Sequence, residues 1–445
     1  MATQTQTIPL RARQAGSGAR SVSDSTPAPA PALPPASRKK QAVVLASSFM
    51  AIVLTIGYNQ CFGVFQEYYL SPSQDVLVPP LTEQASPPTA LLSFVGTLCY
   101  GLTWAGGILV NPVISRIEHG AWGPNTRSRR SRILCLLTPR TITISGVLIM
   151  SAGLALASFS KSIWQLLLTQ GLLILAGGGV GGLIFSPVTR ALLTSIGGRW
   201  TLRAYAAFNL IAGLPTALAV PRSRFAGEST QRRDTHVSRA LASRPTFLLS
   251  AVAAFFQAAG AQLPLSFIPS YTVMVGLTAS KGATLLAISN AINATSRVLS
   301  GYAGDRLGRQ NTLVLTLLLT ACSVLSFWLS SVLAAPSSSV SLWLAFIVFY
   351  SCSVGGYYAL FPALIAEVFG IRQYAAVNAS ILFVRGLGTM FGSPMGGQLL
   401  GSSDKGTAAY AGIVYWDGAL LVGATACCVG VRWADGKGKG WKWIA

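Results

Sequence analysis

Two arginines, Arg297 and Arg385, lie inside long apolar segments of this 445-residue sequence. A charged side chain costs at least about 2.5 kcal/mol at the centre of a membrane-spanning helix, so it normally faces a cavity or a partner. A guanidinium stays charged and meets a carboxylate through two parallel hydrogen bonds. Arg297 is therefore a candidate to bind an organic anion or gate its path, with structural pairing or snorkelling to the surface as the alternative. For Arg385 a structural or gating role is favoured slightly over direct contact.

Amide side chains accompany Arg297 at helical spacing. Asn290 and Asn293 precede it by seven and four residues, so all three share one helix face. Such a stripe suits a pore lining, and packing against a neighbouring helix through amide hydrogen bonds is the alternative. Polar candidates on other apolar segments are Gln257, Gln262 and Tyr271, near Pro264 and Pro269, and Gln60 beside Asn59. A segment broken by proline often borders the binding cavity of a membrane carrier.

The composition excludes a soluble protein. The chain is 51% hydrophobic and 10% charged, whereas soluble domains carry roughly 25% charged residues. Its mean hydropathy is +0.54. The net charge of +21 would suggest nucleic acid in a soluble protein, but here the basic residues cluster between apolar segments. That distribution follows the positive-inside rule and argues against nucleic-acid binding.

The apolar runs predict membrane-spanning helices, because only helices and closed barrels satisfy their backbone in lipid. The predicted spans are 41–66, 89–113, 138–158, 163–195, 204–220, 246–271, 280–302, 312–334, 340–365, 376–399 and 409–431. Most are long enough to cross a core of about 30 Å. The predicted organisation is a disordered cytoplasmic tail (1–40), a first bundle (41–220), a cytoplasmic linker (221–243), a six-helix bundle (244–431) and a cytoplasmic tail (432–445).

The number of membrane spans in the first bundle is ambiguous. Residues 163–195 form one long run that is interrupted by glycines at 177–182. A single span there would place the basic linker outside, against its charge, whereas two spans would each be short. We therefore predict eleven to twelve helices and hypothesise that a segment is missing at Ala176–Val180, through an unrecognised exon or a real deletion.

A motif with the pattern G-x-x-x-D-R-x-G-R connects two of these spans. Its defining residues are Gly301, Asp305, Arg306, Gly308 and Arg309. Glycine lets helix ends approach closely, and Asp305 can pair with arginine or with a helix N-terminus to hold one gating state.

This motif resembles the signature loop of the major facilitator superfamily. Phe62–Tyr69, Gly178–Pro187 and Pro362–Gly370, which includes Glu367, resemble the first, fifth and tenth helices of its monocarboxylate-transporter-like branch, particularly fungal members. The resemblance implies an all-α polytopic fold of two pseudo-symmetric bundles that rock around a central site. It also implies that Arg297 holds a substrate carboxylate, that Glu367 belongs to the gating machinery, and that the protein resides in the plasma membrane.

The sequence departs from that branch in two places. The first-half signature loop is replaced by Ser115–Gly120, where Glu118 stands in for the aspartate. In animal members the first helix carries a lysine and the eighth an aspartate, whereas Gln60 and Asn293 occupy the nearest positions here. Both are neutral, so the resemblance leaves open whether a proton accompanies the solute.

No catalytic constellation is visible, so we predict that the protein is not an enzyme. There is no P-loop motif, the cysteines lack metal-ligand spacing, and His119 and His236 lie in loops. We predict no cofactor, no metal, no nucleic-acid partner and no obligate protein partner beyond the lipid bilayer. The favoured function is secondary transport of a small organic anion such as a monocarboxylate. Efflux of a fungal secondary metabolite and a non-transporting sensor or inactive paralogue are the alternatives.

Two further expectations concern the last spans. Asp417 begins the final span and is expected at the membrane interface. Five glycines of the preceding span are expected to permit close helix packing: Gly386, Gly388, Gly392, Gly396 and Gly397.

Overall fold

The structure, a computed structural model, describes residues 37–79, 88–106, 108, 139–172, 182–219, 237–400 and 403–439. Within these ranges the chain is helical and contains no β-strand, as the apolar pattern predicts. Four predicted features lie wholly or mostly outside the described residues: positions 1–36 of the predicted tail (1–40), the first-half signature loop, the glycine run at 177–181 and most of the linker. The tail's last three residues, 38–40, belong to the first helix.

The first-bundle helices are α1 Arg38–Gln60, α2 Phe62–Tyr69, α3 Thr89–Ala105, α4 Pro139–Ala157, α5 Ile163–Leu166 and α6 Gly182–Ala219. The second-bundle helices are α7 Arg239–Ala242, α8 Pro245–Ala261, α9 Leu263–Met274, α10 Ala279–Leu307, α11 Arg309–Ser323, α12 Leu329–Leu333, α13 Pro336–Phe369, α14 Ile371–Gln398 and α15 Ala411–Lys439. Short π-helical turns continue α5 and join α11 to α12, and a 3₁₀ turn, Ser403–Tyr410, precedes α15.

Five stretches among the described residues are long and apolar enough to cross a membrane. They are Pro245–Met274, Arg309–Leu333, Pro336–Phe369, Gln373–Gln398 and Gly406–Gly438. All five belong to the second bundle, where the predicted spans agree with the helices.

Positive-φ glycines set the sharp reversals between helices. Gly308 (φ 89°) separates α10 from α11, and Gly370 (φ 78°) separates α13 from α14. Gly197 (φ 77°) divides α6 into two parts that meet at a kink. A side chain is disfavoured at these angles, which lie in the region that glycine alone adopts freely. We call the end of the molecule that holds Gly308 and Gly370 the signature end, and the other the opposite end.

The sixth predicted span, 246–271, is broken, as its prolines suggest. Helix α8 ends at Ala261 and α9 begins at Leu263, with Pro264 in its first turn. Gln262 lies at the junction and its backbone carbonyl accepts a hydrogen bond from the Ser266 amide at 3.2 Å. The break therefore places the buried amide side chain of Gln262 in the middle of an otherwise apolar segment.

The long run at 163–195 begins and ends at the opposite end. The loop after α2 contacts both sides of it: the Val78 amide donates to the Lys161 carbonyl at 2.9 Å, and the Gly198 amide donates to Asp75 at 2.8 Å. Nε of Arg203 also donates to the Ser158 hydroxyl at 3.1 Å. The described ends of this run, near Lys161 and Gly198, therefore lie together, and the second part of α6 begins at the opposite end.

Helix α14 packs along α3 of the other bundle and along α8 of its own. A Cβ on Gly386 would overlap the Gly101 carbonyl oxygen, and one on Gly397 would lie 2.8 Å from Cα of Ala90. On its other side, a Cβ on Gly392 would overlap the Ala259 carbonyl oxygen. The expectation that these glycines permit close helix packing is confirmed. Gly386 and Gly397 face α3, and Gly392 faces α8.

The position expected for Asp417 is wrong. Its exposed fraction is 0%, and neither carboxyl oxygen has a hydrogen-bond partner. The carboxyl group lies beside Gly260, because α15 packs tightly against α8. The sequence places Asp417 near the start of its helix, but the packing of that helix puts the residue in the interior.

Candidate functional site

Two helices of the second bundle bring Arg297 and Arg385 to one aromatic ring. Cζ of Arg297, on α10, lies 4.7 Å from the centre of the Tyr358 ring, and Cζ of Arg385, on α14, lies 4.5 Å from it. The two Cζ atoms are therefore no more than about 9 Å apart. We call these two residues the arginine pair.

Arg385 is held by aromatic rings. Its exposed fraction is 5%, and its Cζ lies 5.1 Å from the ring centres of both Trp104 and Tyr357. Together with Tyr358 these rings form what we call the Arg385 cage. Ring faces attract a guanidinium by about 0.5–2 kcal/mol each, which offsets part of the cost of burying the charge. Helix α3 contributes Trp104, so the cage joins the two bundles.

Neither arginine has an acidic partner within the described ranges. The ion pairs found there are Arg190 with Glu67 and Arg309 with Asp305. Nε of Arg297 donates instead to the amide oxygen of Asn293 at 2.9 Å, and Nε of Arg385 has no hydrogen-bond partner. The pair thus carries positive charge that this part of the molecule does not balance.

Amide groups line a second part of the interface between bundles. Gln60, Gln262 and Ser266 border a narrow cleft between α1, α2, α3 and α9, with a cavity volume of about 10 Å³. Nε2 of Gln60 lies 3.4 Å from Oδ1 of Asn290, which links the cleft to the helix that carries Arg297. Among the described residues, the Oε1 atoms of Gln60 and Gln262 have no hydrogen-bond partner. A cavity of this size has room for about one water molecule.

The sequence profile of the Major Facilitator Superfamily matches residues 172–393, which include both arginines and the whole of α8 to α13. The chain is a major facilitator superfamily protein. Its two bundles are the halves of that fold, and the protein is a transporter, not an enzyme.

Fungal transporters are similar to this superfamily member along most of its length. An "MFS-type transporter" of Gibberella moniliformis is 28% identical over 339 residues, which covers 68% of this chain and 78% of the relative. The MFS-type transporter pynF of Aspergillus niger is 25% identical and covers 86% of each chain. An aspyridones efflux protein of Emericella nidulans is 26% identical over 368 residues and covers 78% of this chain and 69% of the relative.

Solved structures share the fold. The nucleoside transporter NupG superposes with a TM-score of 0.60 at 12% identity, covering 88% of this chain and 98% of that chain. A D-xylose-proton symporter superposes with a TM-score of 0.58 at 15% identity, covering 91% of this chain and 98% of that chain. These likenesses confirm the major facilitator fold.

The superfamily's signature loop is largely helical here. Helix α10 continues to Leu307, and the predicted pairing of Asp305 forms with Arg309 at 3.3 Å. Arg306 lies 5.3 Å above the Tyr302 ring. The glycine that permits close approach is Gly304, where a Cβ would overlap Leu360, whereas a Cβ on Gly301 would meet open space. The expectation that Gly301 permits the approach is therefore wrong.

Gln310, which the sequence analysis missed, connects the signature end of the second half. Its Nε2 donates at 2.9 Å to Glu367 and at 2.9 Å to Asp435. Through Gln310, Glu367 on α13 is linked to α11 and α15. The gating role of this cluster stays a prediction.

Two predicted site residues have other surroundings. Tyr271 is fully buried, lies 4.5 Å from the Trp343 ring, and shares a 3.0 Å hydrogen bond with Ser331. Gln257 is fully buried on α8, with both amide atoms unpartnered. The predictions that they contact substrate stay predictions.

Proposed function

We propose that this transporter moves a small organic anion by alternating access, with Arg297 binding the anionic group near the middle of the membrane. The observation that carries the proposal is the arginine pair: two guanidiniums on one ring, with no carboxylate partner among the described residues. Arg297 also sits on a stripe with Asn290 and Asn293, whose amides can orient a second polar group of the solute. A monocarboxylate is the simplest solute that supplies such an anionic group.

The alternating-access part rests on the contacts between halves. Gly63 approaches the Leu265 carbonyl oxygen closely, and Gly386 approaches Gly101 closely, without ion pairs between these helices in the described ranges. Contacts made by small residues can part and re-form without leaving buried charges unpaired. We propose the plasma membrane as the location, with both termini in the cytoplasm.

Substitution of Arg297 tests the proposal. In proteoliposomes that contain the full chain, radiolabelled benzoate uptake is expected to saturate, and Arg297→Gln is expected to reduce the initial rate at least about tenfold, a loss of about 1.4 kcal/mol. Arg297→Lys keeps the charge but not the planar fork of hydrogen-bond donors. Its initial rate should lie between those of the unaltered protein and Arg297→Gln. Lys281→Gln removes an exposed cation from the same helix and serves as the control. If benzoate uptake by Arg297→Gln has the same initial rate and saturates as before, the assignment of Arg297 as the anion-binding residue is wrong.

Efflux of an acidic secondary metabolite is the second candidate. It is supported by the similarity to the aspyridones efflux protein, and the aromatic side chains around Arg385 suit a larger, partly apolar acid. Cells that overproduce the protein should then retain less of such an acid than cells that lack it. A raised internal level would contradict export.

A further inference from the structure

We infer that the Arg385 cage is a second anion-binding subsite, so that the transported solute is an aromatic acid with two acidic groups. This inference deepens the proposed function and rests on it. Arg297 takes one acidic group, and Arg385 takes the other, with Tyr358 between them.

The charge balance supports a dianion. Two guanidiniums within about 9 Å repel each other, and neither forms an ion pair with a described carboxylate. A monoanion would neutralise one of these charges and leave the other buried. A solute with two acidic groups neutralises both, so binding relieves the repulsion completely.

The hydrogen-bonding balance points to the same chemistry. Three buried polar atoms of the cage have no hydrogen-bond partner among the described residues: Nε1 of Trp104, Nε of Arg385 and the hydroxyl of Tyr357. The last two belong to residues that are 5% and 1% exposed. A guanidinium N–H is a donor only, and a tyrosine hydroxyl donates readily to an anion. Buried donors without acceptors cost free energy, and an acidic oxygen placed between Arg385 and Tyr357 would accept from both. The cage is therefore short of an acceptor, which is what a second acidic group supplies.

The aromatic rings around the arginine pair indicate the chemical class of the solute's body. Arg385 faces Trp104, Tyr357 and Tyr358, and Arg297 shares the last of these. A flat conjugated body can stack on such rings while its acidic groups reach the two guanidiniums. An aliphatic body would contact the same rings without that stacking. We therefore assign the aromatic class.

A matched pair of acids tests the inference. Benzoate and isophthalate share one ring and carry one and two carboxylates at neutral pH. Equilibrium binding of each radiolabelled acid to the purified full chain is expected to show isophthalate bound about tenfold more tightly, a difference of about 1.4 kcal/mol. Arg385→Gln should remove this preference, so that isophthalate then binds no more tightly than benzoate. Arg297→Gln should weaken both acids.

A second variant guards against misfolding of Arg385→Gln. Tyr357→Phe removes a hydroxyl that has no hydrogen-bond partner among the described residues, so it should fold normally. It is expected to weaken isophthalate several-fold and benzoate little. Size-exclusion elution of each variant verifies the fold.

The outcomes separate the two proposals. If benzoate binds through Arg297 but isophthalate binds no more tightly, or if both cage variants keep the preference, the cage is structural and only this inference is overturned. If neither acid binds the unaltered protein, or Arg297→Gln leaves both affinities intact, the proposed anion transport fails and this inference fails with it.

Discussion

At the scale of single residues, the site depends on how buried cations are kept without acids. Arg385 contacts three rings and Arg297 contacts one ring and one amide. Ring faces and amide oxygens are weaker partners than a carboxylate, so a bound anion can displace them at modest cost. A salt bridge in the same place would compete with the solute.

Tyr358 is the partner that both arginines share, so its ring should matter more than its hydroxyl. Tyr358→Leu is expected to lower the free energy of unfolding by about 1–3 kcal/mol, because two cation–π contacts are lost. Tyr358→Phe keeps the ring and should stay close to the unaltered protein. Thermal unfolding in detergent measures both, with the exposed Tyr415→Leu as the control. Equal losses in Phe and Leu variants would contradict the cation–π account.

The sequence located the charges but not their surroundings. Arg297 and Arg385 stood out because charges are rare in apolar segments. Trp104 lies on a helix about 280 positions before Arg385 in the chain. Aromatic residues are common in apolar runs, so the sequence does not mark Trp104 as a partner of Arg385. The available signal was the adjacent pair Tyr357 and Tyr358 in a predicted span. Contacts of this kind follow from the tertiary packing, which a single sequence does not reveal.

At the scale of elements, α14 is the helix on which both bundles depend. Its glycines face α3 across the halves and α8 within one half. The glycine content predicted close packing, whereas the division into two faces required the structure. The same holds for Gly304, which makes the approach expected of Gly301, since helix rotation decides which glycine meets a neighbour.

The two faces of α14 should respond differently to a methyl group. Gly392→Ala overlaps the Ala259 carbonyl inside one half and is expected to destabilise the protein by about 1–3 kcal/mol in every conformation. Gly386→Ala overlaps Gly101 across the halves, so it should shift the protein toward the state in which α3 and α14 separate.

Thermal unfolding and cysteine accessibility along α3 measure these two effects. Gly438→Ala, where a Cβ meets open space, is the control. Equal loss of stability in Gly386→Ala and Gly392→Ala, with no change in accessibility, would contradict a moving interface between the halves.

At the scale of the whole molecule, the orientation of the first bundle decides whether the halves can face each other. The sequence left open whether residues 163–195 cross once or twice. The contacts of Val78 with Lys161 and of Asp75 with Gly198 place both ends of this run together. The linker after α6 is then expected on the same side as the signature loop.

A reporter cysteine tests this arrangement. In a cysteine-free background, Thr235→Cys is expected to escape an impermeant thiol reagent in intact cells and to react after permeabilisation. Leu307→Cys, at the signature end, should behave in the same way. Ser338→Cys, exposed at the opposite end, should react in intact cells. Labelling of Thr235→Cys without permeabilisation would mean that the halves are mis-oriented.

The uncompensated arginine pair also has an electrical consequence. If the two positive charges move through the membrane field as the halves rock, the empty carrier is sensitive to voltage, at about 2.3 kcal/mol per charge for each 100 mV crossed. Two acidic groups on the solute would cancel those charges, so the loaded carrier would respond little. The membrane potential would then act on the return of the empty carrier, and the rate of turnover would follow the cell's energetic state even without a coupled ion.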